Sequence, residues 1–154
     1  MATRSTIALE YADGTIDQVY CHWDGYLSNN GVILQEHYKD PFKLQRLMDL
    51  GDLSSLGPNI GDQHDFDCPY KYGTPEADAW YADKKEVCTF YGRDRGETGT
   101  KARRFKDFAD YRKRAQGEEY NYILRKDGNW YVEFYGEFDG LLEQAFLAES
   151  ALED

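Results

Sequence analysis

"STIALEYADGTIDQVYCHW", residues 5–23, reads as two β-rich runs around Asp13-Gly14, the pattern of a β-hairpin. With Asp13 and Gly14 as a two-residue loop, Tyr11 pairs with Ile16, Leu9 with Gln18, Ile7 with Tyr20 and Ser5 with His22. Alternation then puts Ile7, Leu9, Tyr11, Ile16, Tyr20 and His22 on one face, with Ala8, Val19, Cys21 and Trp23 on the other. A second hairpin carries the same signature: "EYNYILRK" (119–126), an Asp127-Gly128 turn, and "NWYVEFY" (129–135). "WDG" (23–25) and a helix follow the first hairpin, as "FDG" (138–140) and a helix follow the second. Residues 5–39 and 118–152 therefore read as a possible hairpin-plus-helix pseudo-repeat, either a duplication or two uses of common turn chemistry.

Between the hairpins the signals are helical and then irregular. Ser28 can cap "NNGVILQEHYK" (29–39), where Ile33, Leu34, His37 and Tyr38 recur at helical spacing. Asp40 as N-cap, Pro41 at the first helical position, the stripe Leu44, Leu47 and Met48, and Gly51 as stop define the next helix. Residues 52–82 read mostly as ordered loop, with a short helix from Pro75 to about Lys84. "EVCTFYG" (86–92) is a short strand running into a charged turn, "GRDRGETG" (92–99). Residues 101–116 read as an amphipathic helix with Ala102, Phe105, Phe108 and Ala109 inward. Leu141 to Leu152 closes the chain as a helix whose apolar face includes Leu141, Leu142, Ala145, Phe146 and Leu152. The expected fold is a single α+β domain over 1–154: an antiparallel sheet of about five strands, from two hairpins and a short strand, with helices on one face.

A chain of 154 residues buries about 68–70% of its unfolded surface on folding, so it needs neither metal nor disulfide to hold a core. Its 13 Tyr are too many to bury fully, because each hydroxyl needs a partner, so some line a groove or an interface and make a homodimer plausible. A net charge of −11 argues against wrapping a nucleic-acid backbone. Nine of the 18 basic residues nevertheless fall between Lys101 and Lys126, either an ion-paired surface or a compact anion site. Three widely spaced cysteines, Cys21, Cys68 and Cys88, point to a reducing cytoplasm. No signal peptide or membrane span is legible, and no membrane partner is expected.

Candidate chemistry lies in three stretches. In "VYCHWDGY" (19–26), Cys21 and His22 point to opposite faces of a strand and cannot form a dyad, whereas His22 and Tyr20 share a face. His37 on the next helix is placed to approach His22, but no established metal-ligand spacing is present and no metal or cofactor is called. "HDFDC" (64–68) lacks the glycine and distal glutamate of a calcium loop and reads as a solvated acidic loop. In "FYGRDRGETG" (90–99), Arg93 and Arg95 offer guanidinium forks and Phe90 and Tyr91 offer rings for stacking; the alternative is an ion-paired surface turn around Asp94. The candidate ligand-binding set is therefore His22, Trp23, Asp24, His37, Phe90, Tyr91, Arg93 and Arg95. No catalytic residue is assigned.

"ATRSTIALEYADG" (2–14), "VYCHWDGYLSNNG" (19–31), "EHYKDP" (36–41), "LGDLSSLG" (50–57) and "CTFYGRDRGETG" (88–99) together resemble a family of small, uncharacterised proteins of tailed bacteriophages and prophages. The similarity spans residues 2 to 136 or so and brings no catalytic residues with it. What it implies is a setting: a non-virion protein in the cytoplasm of an infected bacterium, acting against host enzymes or host defence. Three functions fit. The first is a binder that sequesters a small nucleotide-like ligand without turnover. The second is an acidic inhibitor of a host protein. The third is a nucleotide phosphodiesterase or hydrolase built on His22, His37 and Asp24.

Overall fold

The computed structural model describes residues 2–115 and 117–153, residues 148–153 as helical backbone. The first hairpin is present as β1, Ser5–Glu10, and β2, Ile16–Cys21, but its loop has three residues rather than two. The Tyr11 N–H donates to the Thr15 carbonyl (2.8 Å) and the Gly14 N–H to the Tyr11 carbonyl (2.9 Å), with Gly14 at φ 90. This is a type I turn closed by a glycine bulge. The register therefore slips by one, to Ile7 with Val19 and Ser5 with Cys21. A one-residue slip exchanges the faces of one strand relative to the other. Ile7, Leu9, Val19 and Cys21 line one face together, and Ala8 and Ile16 pack on the other. Tyr20 and His22 go with the second set by alternation, which corrects the expected pairing.

The second hairpin, β6 (Tyr120–Leu124) with β7 (Trp130–Phe134), uses the same turn. Gly128, at φ 86, donates to the Arg125 carbonyl (2.9 Å), and the Arg125 N–H reaches Asn129 (3.1 Å). Beyond it the likeness ends. "FDG" lies inside a further strand, β8 (Phe138–Leu141), whereas "WDG" ends β2.

The sheet has eight strands and is mixed, not antiparallel. With β3 (Leu53–Ser55), β4 (Thr89–Phe90) and β5 (Arg103–Phe105), its order is β4-β3-β2-β1-β6-β7-β8, and β5 pairs with the outer edge of β2. The β1–β6 and β2–β3 pairings are parallel. Parallel neighbours require crossovers, which hairpin signals do not announce. Between the stretches of β2 taken by β5 and β3, the Tyr20 N–H is capped by the Asp52 carboxylate (2.8 Å).

Helices cover both faces, another departure from expectation. On the first face a π-helical turn (Leu27–Gly31), α1 (Val32–His37), α2 (Pro41–Leu50) and α6 (Leu142–Glu153) bury Leu27, Leu34, Leu44, Leu47, Met48, Leu142 and Ala145 against the strands. The α2 caps follow the sequence signals: Asp40 accepts from the Phe42 N–H, and Gly51 ends the helix at φ 86. Ser28 does not cap; it lies within the π-helical turn. α3 spans Pro75–Lys84, as expected, and Thr74 caps it by accepting from the Ala77 N–H. The charged turn contains a one-turn helix, α4 (Tyr91–Arg95).

The stretch expected as one helix from 101 to 116 divides into β5 and α5 (Phe108–Arg114), the latter capped by Asp107. α5 packs on the second face, where Phe105 and Tyr111 join Ala8, Ile16 and Ile123 in a smaller cluster. The final helix starts one residue later than expected, and its Leu152 side chain lies outside the described residues. Among the described residues, no helix is long and apolar enough to cross a membrane.

Candidate functional site

α5 covers the second face over β1, β5, β6 and β7 and over the start of β2, where Ile16 lies. The remainder of that face, over the rest of β2 and over β3 and β4, carries polar and aromatic side chains. Cys21 pairs with Leu53 and Leu53 with Phe90, and all three point into the first-face core. Alternation therefore aims Tyr20, His22, Ser54 and Tyr91 the other way. The two sequence clusters, around His22 and around Tyr91, are joined at β3: the Trp23 N–H donates to the Ser54 carbonyl (3.0 Å), and the Tyr91 N–H to the carbonyl of Asp52, just before the strand (3.2 Å).

The Tyr20 hydroxyl and His22 Nδ1 lie 2.7 Å apart, and the His22 ring meets Trp23 edge-on at 4.8 Å. Trp23 is 45% exposed. Burial pushes the Tyr20 phenol above its ordinary value; the positive charge of Arg4 opposes that shift and the negative charge of Glu118 adds to it, so charges of both signs act on this end of the site. Phe66 lies 5.7 Å from Tyr91, and the Arg95 guanidinium sits over both rings at 4.5 and 5.0 Å. Arg103, opposite Gln18 in β5, adds a third cation and lies 3.5 Å from Asp52. The result is a half-buried platform of Tyr20, His22, Tyr91 and Phe66 edged by Arg95 and Arg103, with the charges of Arg4 and Glu118 acting on its Tyr20 end.

Arg93 and Arg95, two positions apart, have opposite fates. Arg93 uses all five of its N–H donors inside the protein: Nε and Nη2 to Asp94 (3.0 and 3.2 Å), Nη1 to the Ile60 and Gly61 carbonyls (3.2 and 2.8 Å), and Nη2 to the Cys88 carbonyl (2.9 Å). Its partner Asp94 is fully buried and also accepts the Phe90 and His64 backbone N–H groups (2.8 and 3.1 Å). Arg93 thus fastens the 60–64 loop to β4 and has no donor left for a ligand. Arg95 is paired only with Glu97 (2.7 Å), both half-exposed. Exposed pairs contribute about 0–1 kcal/mol, so its guanidinium is easily redirected to an incoming anion.

Three other expected site residues are placed elsewhere. Phe90 is fully buried in the first-face core. His37 ends α1, in the helix layer over the first face, with its ring 3.9 Å from Glu36; the sheet separates it from His22. Asp24 has φ 57, and its carbonyl receives the Asn30 N–H (3.3 Å) and Asn29 Nδ2 (3.2 Å), so it shapes the turn out of β2. Gly25 follows because a Cβ there would lie 2.6 Å from Ser5 Cβ.

Burial raises the Cys21 thiol to about 12 and also raises Cys88, which makes both poor nucleophiles. The arginines of the basic run from 101 to 126 are ion-paired: besides Arg103, Arg104 pairs with Asp17, Arg112 with Asp139, Arg114 with Asp110 and Arg125 with Glu10. Among the described residues, no three His, Cys, Asp or Glu side chains are grouped to hold a metal.

Arg4, Ser54, Phe66 and Arg103 were absent from the sequence-derived set. Only the positive charge of the two arginines marked them, and the strand pairings that gather them are long-range. No protein-family model matches this chain, and no curated protein or solved structure matches it.

Proposed function

We propose that this protein binds a small nucleotide-like ligand on the open part of its second face and does not turn it over. In the setting implied by the phage-family resemblance, it is an accessory protein that withdraws such a ligand from host defence in the bacterial cytoplasm. The observation that carries this reading is the platform of Tyr91, Phe66, Tyr20 and His22 edged by Arg95 and Arg103, with the charge of Arg4 acting on its Tyr20 end. Rings accept a base by stacking, worth about 1–3 kcal/mol per base, and guanidinium groups accept phosphate oxygens in pairs. Neither requires a nucleophile, and sequestration needs tight binding alone.

The test is a thermal-shift titration against linear and cyclic nucleotides and ADP-ribose-like compounds, with recovery of the ligand afterwards. A ligand at 100 times its Kd adds about 2.7 kcal/mol, roughly 5–10 °C for a domain of this size. The reading expects a shift with one nucleotide class, loss of that shift in Arg95→Glu and Tyr91→Ala, and intact ligand on recovery. A flat panel overturns it. Conversion of the ligand would replace binding with hydrolysis and point to the Tyr20–His22 pair.

A further inference from the structure

We infer a second binding site, for a small protonated amine with an apolar body, in the cavity between α5 and strands β6, β7 and β8. The cavity has a volume of about 580 Å³, within the usual size range of small-molecule pockets. Its walls come from elements far apart in sequence: Phe108, Tyr111 and Ala115 from the α5 region, and Ile123, Tyr131 and Glu133 from β6 and β7. It is lined by rings and aliphatic groups, with charge confined to a few positions.

The charge balance selects the ligand. Arg125 lines the cavity but is committed, bonded to Glu10 at 2.9 Å and lying 3.6 Å from the Phe108 ring centre. Arg112 is committed to Asp139 across the cavity mouth, from α5 to β8. That leaves Glu133. Among the described residues its carboxylate accepts from neutral donors, Asn121 Nδ2 (2.9 Å) and the Gly136 N–H (3.2 Å); no cation lies within ion-pair distance of it, and the Arg112 guanidinium, bonded to the opposite Asp139, reaches it by charge alone. Two opposed carboxylates, Glu133 and Asp139, share the one guanidinium of Arg112, and the surplus negative charge attracts a cation, for which an ammonium supplies both charge and donors. Tyr111 and Tyr131 line the cavity and offer ring surface for the body of the molecule, the Phe108 ring being already engaged by Arg125.

Glu133 belongs to a polar row across the second face that ends at its cross-strand partner Asp139. Tyr20 pairs with Thr6, Thr6 with Asn121, and Asn121 with Glu133. The Thr6 hydroxyl donates to Asn121 Oδ1 (2.8 Å), so the Asn121 amide is fixed with its NH₂ toward Glu133. The carboxylate is thereby held in place before any ligand arrives, which lowers the cost of binding.

The experiment is a ¹H–¹⁵N NMR titration of the full chain with three indole probes that share one ring system. Tryptamine carries an ammonium, indole is neutral, and indole-3-acetate carries a carboxylate. The inference expects tryptamine to bind at millimolar concentration or better, to move the Asn121 side-chain amide and the Gly117 and Tyr131 backbone amides, and to bind more tightly than indole, with indole-3-acetate weakest. Glu133→Gln should weaken tryptamine about tenfold and leave indole unchanged, the loss of one charge-assisted contact. Indole binding serves as the internal control that the variant's cavity is intact. Equal affinity for the three probes, tryptamine binding insensitive to Glu133→Gln, or no perturbation at these amides would each overturn it.

Discussion

The first face of the sheet buries Ile7, Leu9, Val19, Tyr122, Leu124, Trp130 and Val132 under several helices. The second face, made of the alternate residues of the same strands, has a five-residue buried cluster under one short helix. Beyond α5 it leaves Tyr20, His22 and Tyr91 half-buried. One layer holds the fold together and the other presents chemistry. Because alternation ties the two faces together, a side chain cannot move from one role to the other without a register change, and the three-residue turns fix that register.

The sharpest contrast predicted is between substitutions on the two sides. Trp130 is buried, and its indole N–H donates to the Tyr38 carbonyl (3.1 Å); Trp130→Ala should cost about 3–5 kcal/mol in urea unfolding. Tyr91→Ala should cost clearly less. Arg93→Ala should cost a similar 3–5 kcal/mol or so, because it strands the buried Asp94 carboxylate without its cation. Arg95→Ala, two residues on, should stay within about 0.5 kcal/mol and remove ligand binding instead. If Arg93→Ala folded normally and lost only ligand, the assignment of the two arginines would be reversed.

Smaller effects probe the hinges of the comparison. Gly14→Ala and Gly128→Ala meet no neighbouring atom within 4 Å, so each should lose only the backbone cost of a left-handed residue, about 1–2 kcal/mol. A larger loss at either glycine would show that its turn does more than set register. Acid should then loosen both edges of the first hairpin. Burial alone would raise the Asp17 and Glu10 carboxyls, but hydrogen bonds and charge from Arg104 and Arg125 outweigh it and hold both below the ordinary range. Their folded-state pKa values being depressed, the stability they supply is present above their unfolded values and is lost as pH falls through the folded ones. Asp17→Asn should reduce the drop in urea midpoint between about pH 7 and pH 3, by an amount near 1 kcal/mol or less. An unchanged drop would mean that Arg104 contributes nothing to holding β5 on β2.

How much of this was legible in the sequence depended on whether the signal was local. The cap of α2 and the span of α3 were, since Asp40-Pro41 and Pro75 act on their own helix ends; the Thr74 cap was not singled out. Asp13-Gly14 marked a turn correctly but not its length, and the missing residue inverted the faces. β5 was hidden because Arg103 and Arg104 on an exposed edge look like the polar side of a helix. Asp139-Gly140 looked like a turn because its strand partner, Val132–Glu133, is recognisable only once β7 is in place.

The site was half legible for the same reason. His22, Trp23, Tyr91 and Arg95 were found as clusters. Their union through Ser54 depends on a parallel β2–β3 contact, and the internal use of Arg93 on the 60–64 loop returning to β4; no short motif encodes either.

The most direct test of the central claim is a calorimetric titration of the best nucleotide from the thermal-shift panel into the native chain and into Arg4→Glu, Arg95→Glu and Arg103→Glu. The account predicts that each reversal weakens binding at least about tenfold while the urea midpoints stay close to native, because the three cations act on the platform and lie outside the core. Binding that survives all three reversals would contradict it and place the ligand away from this face.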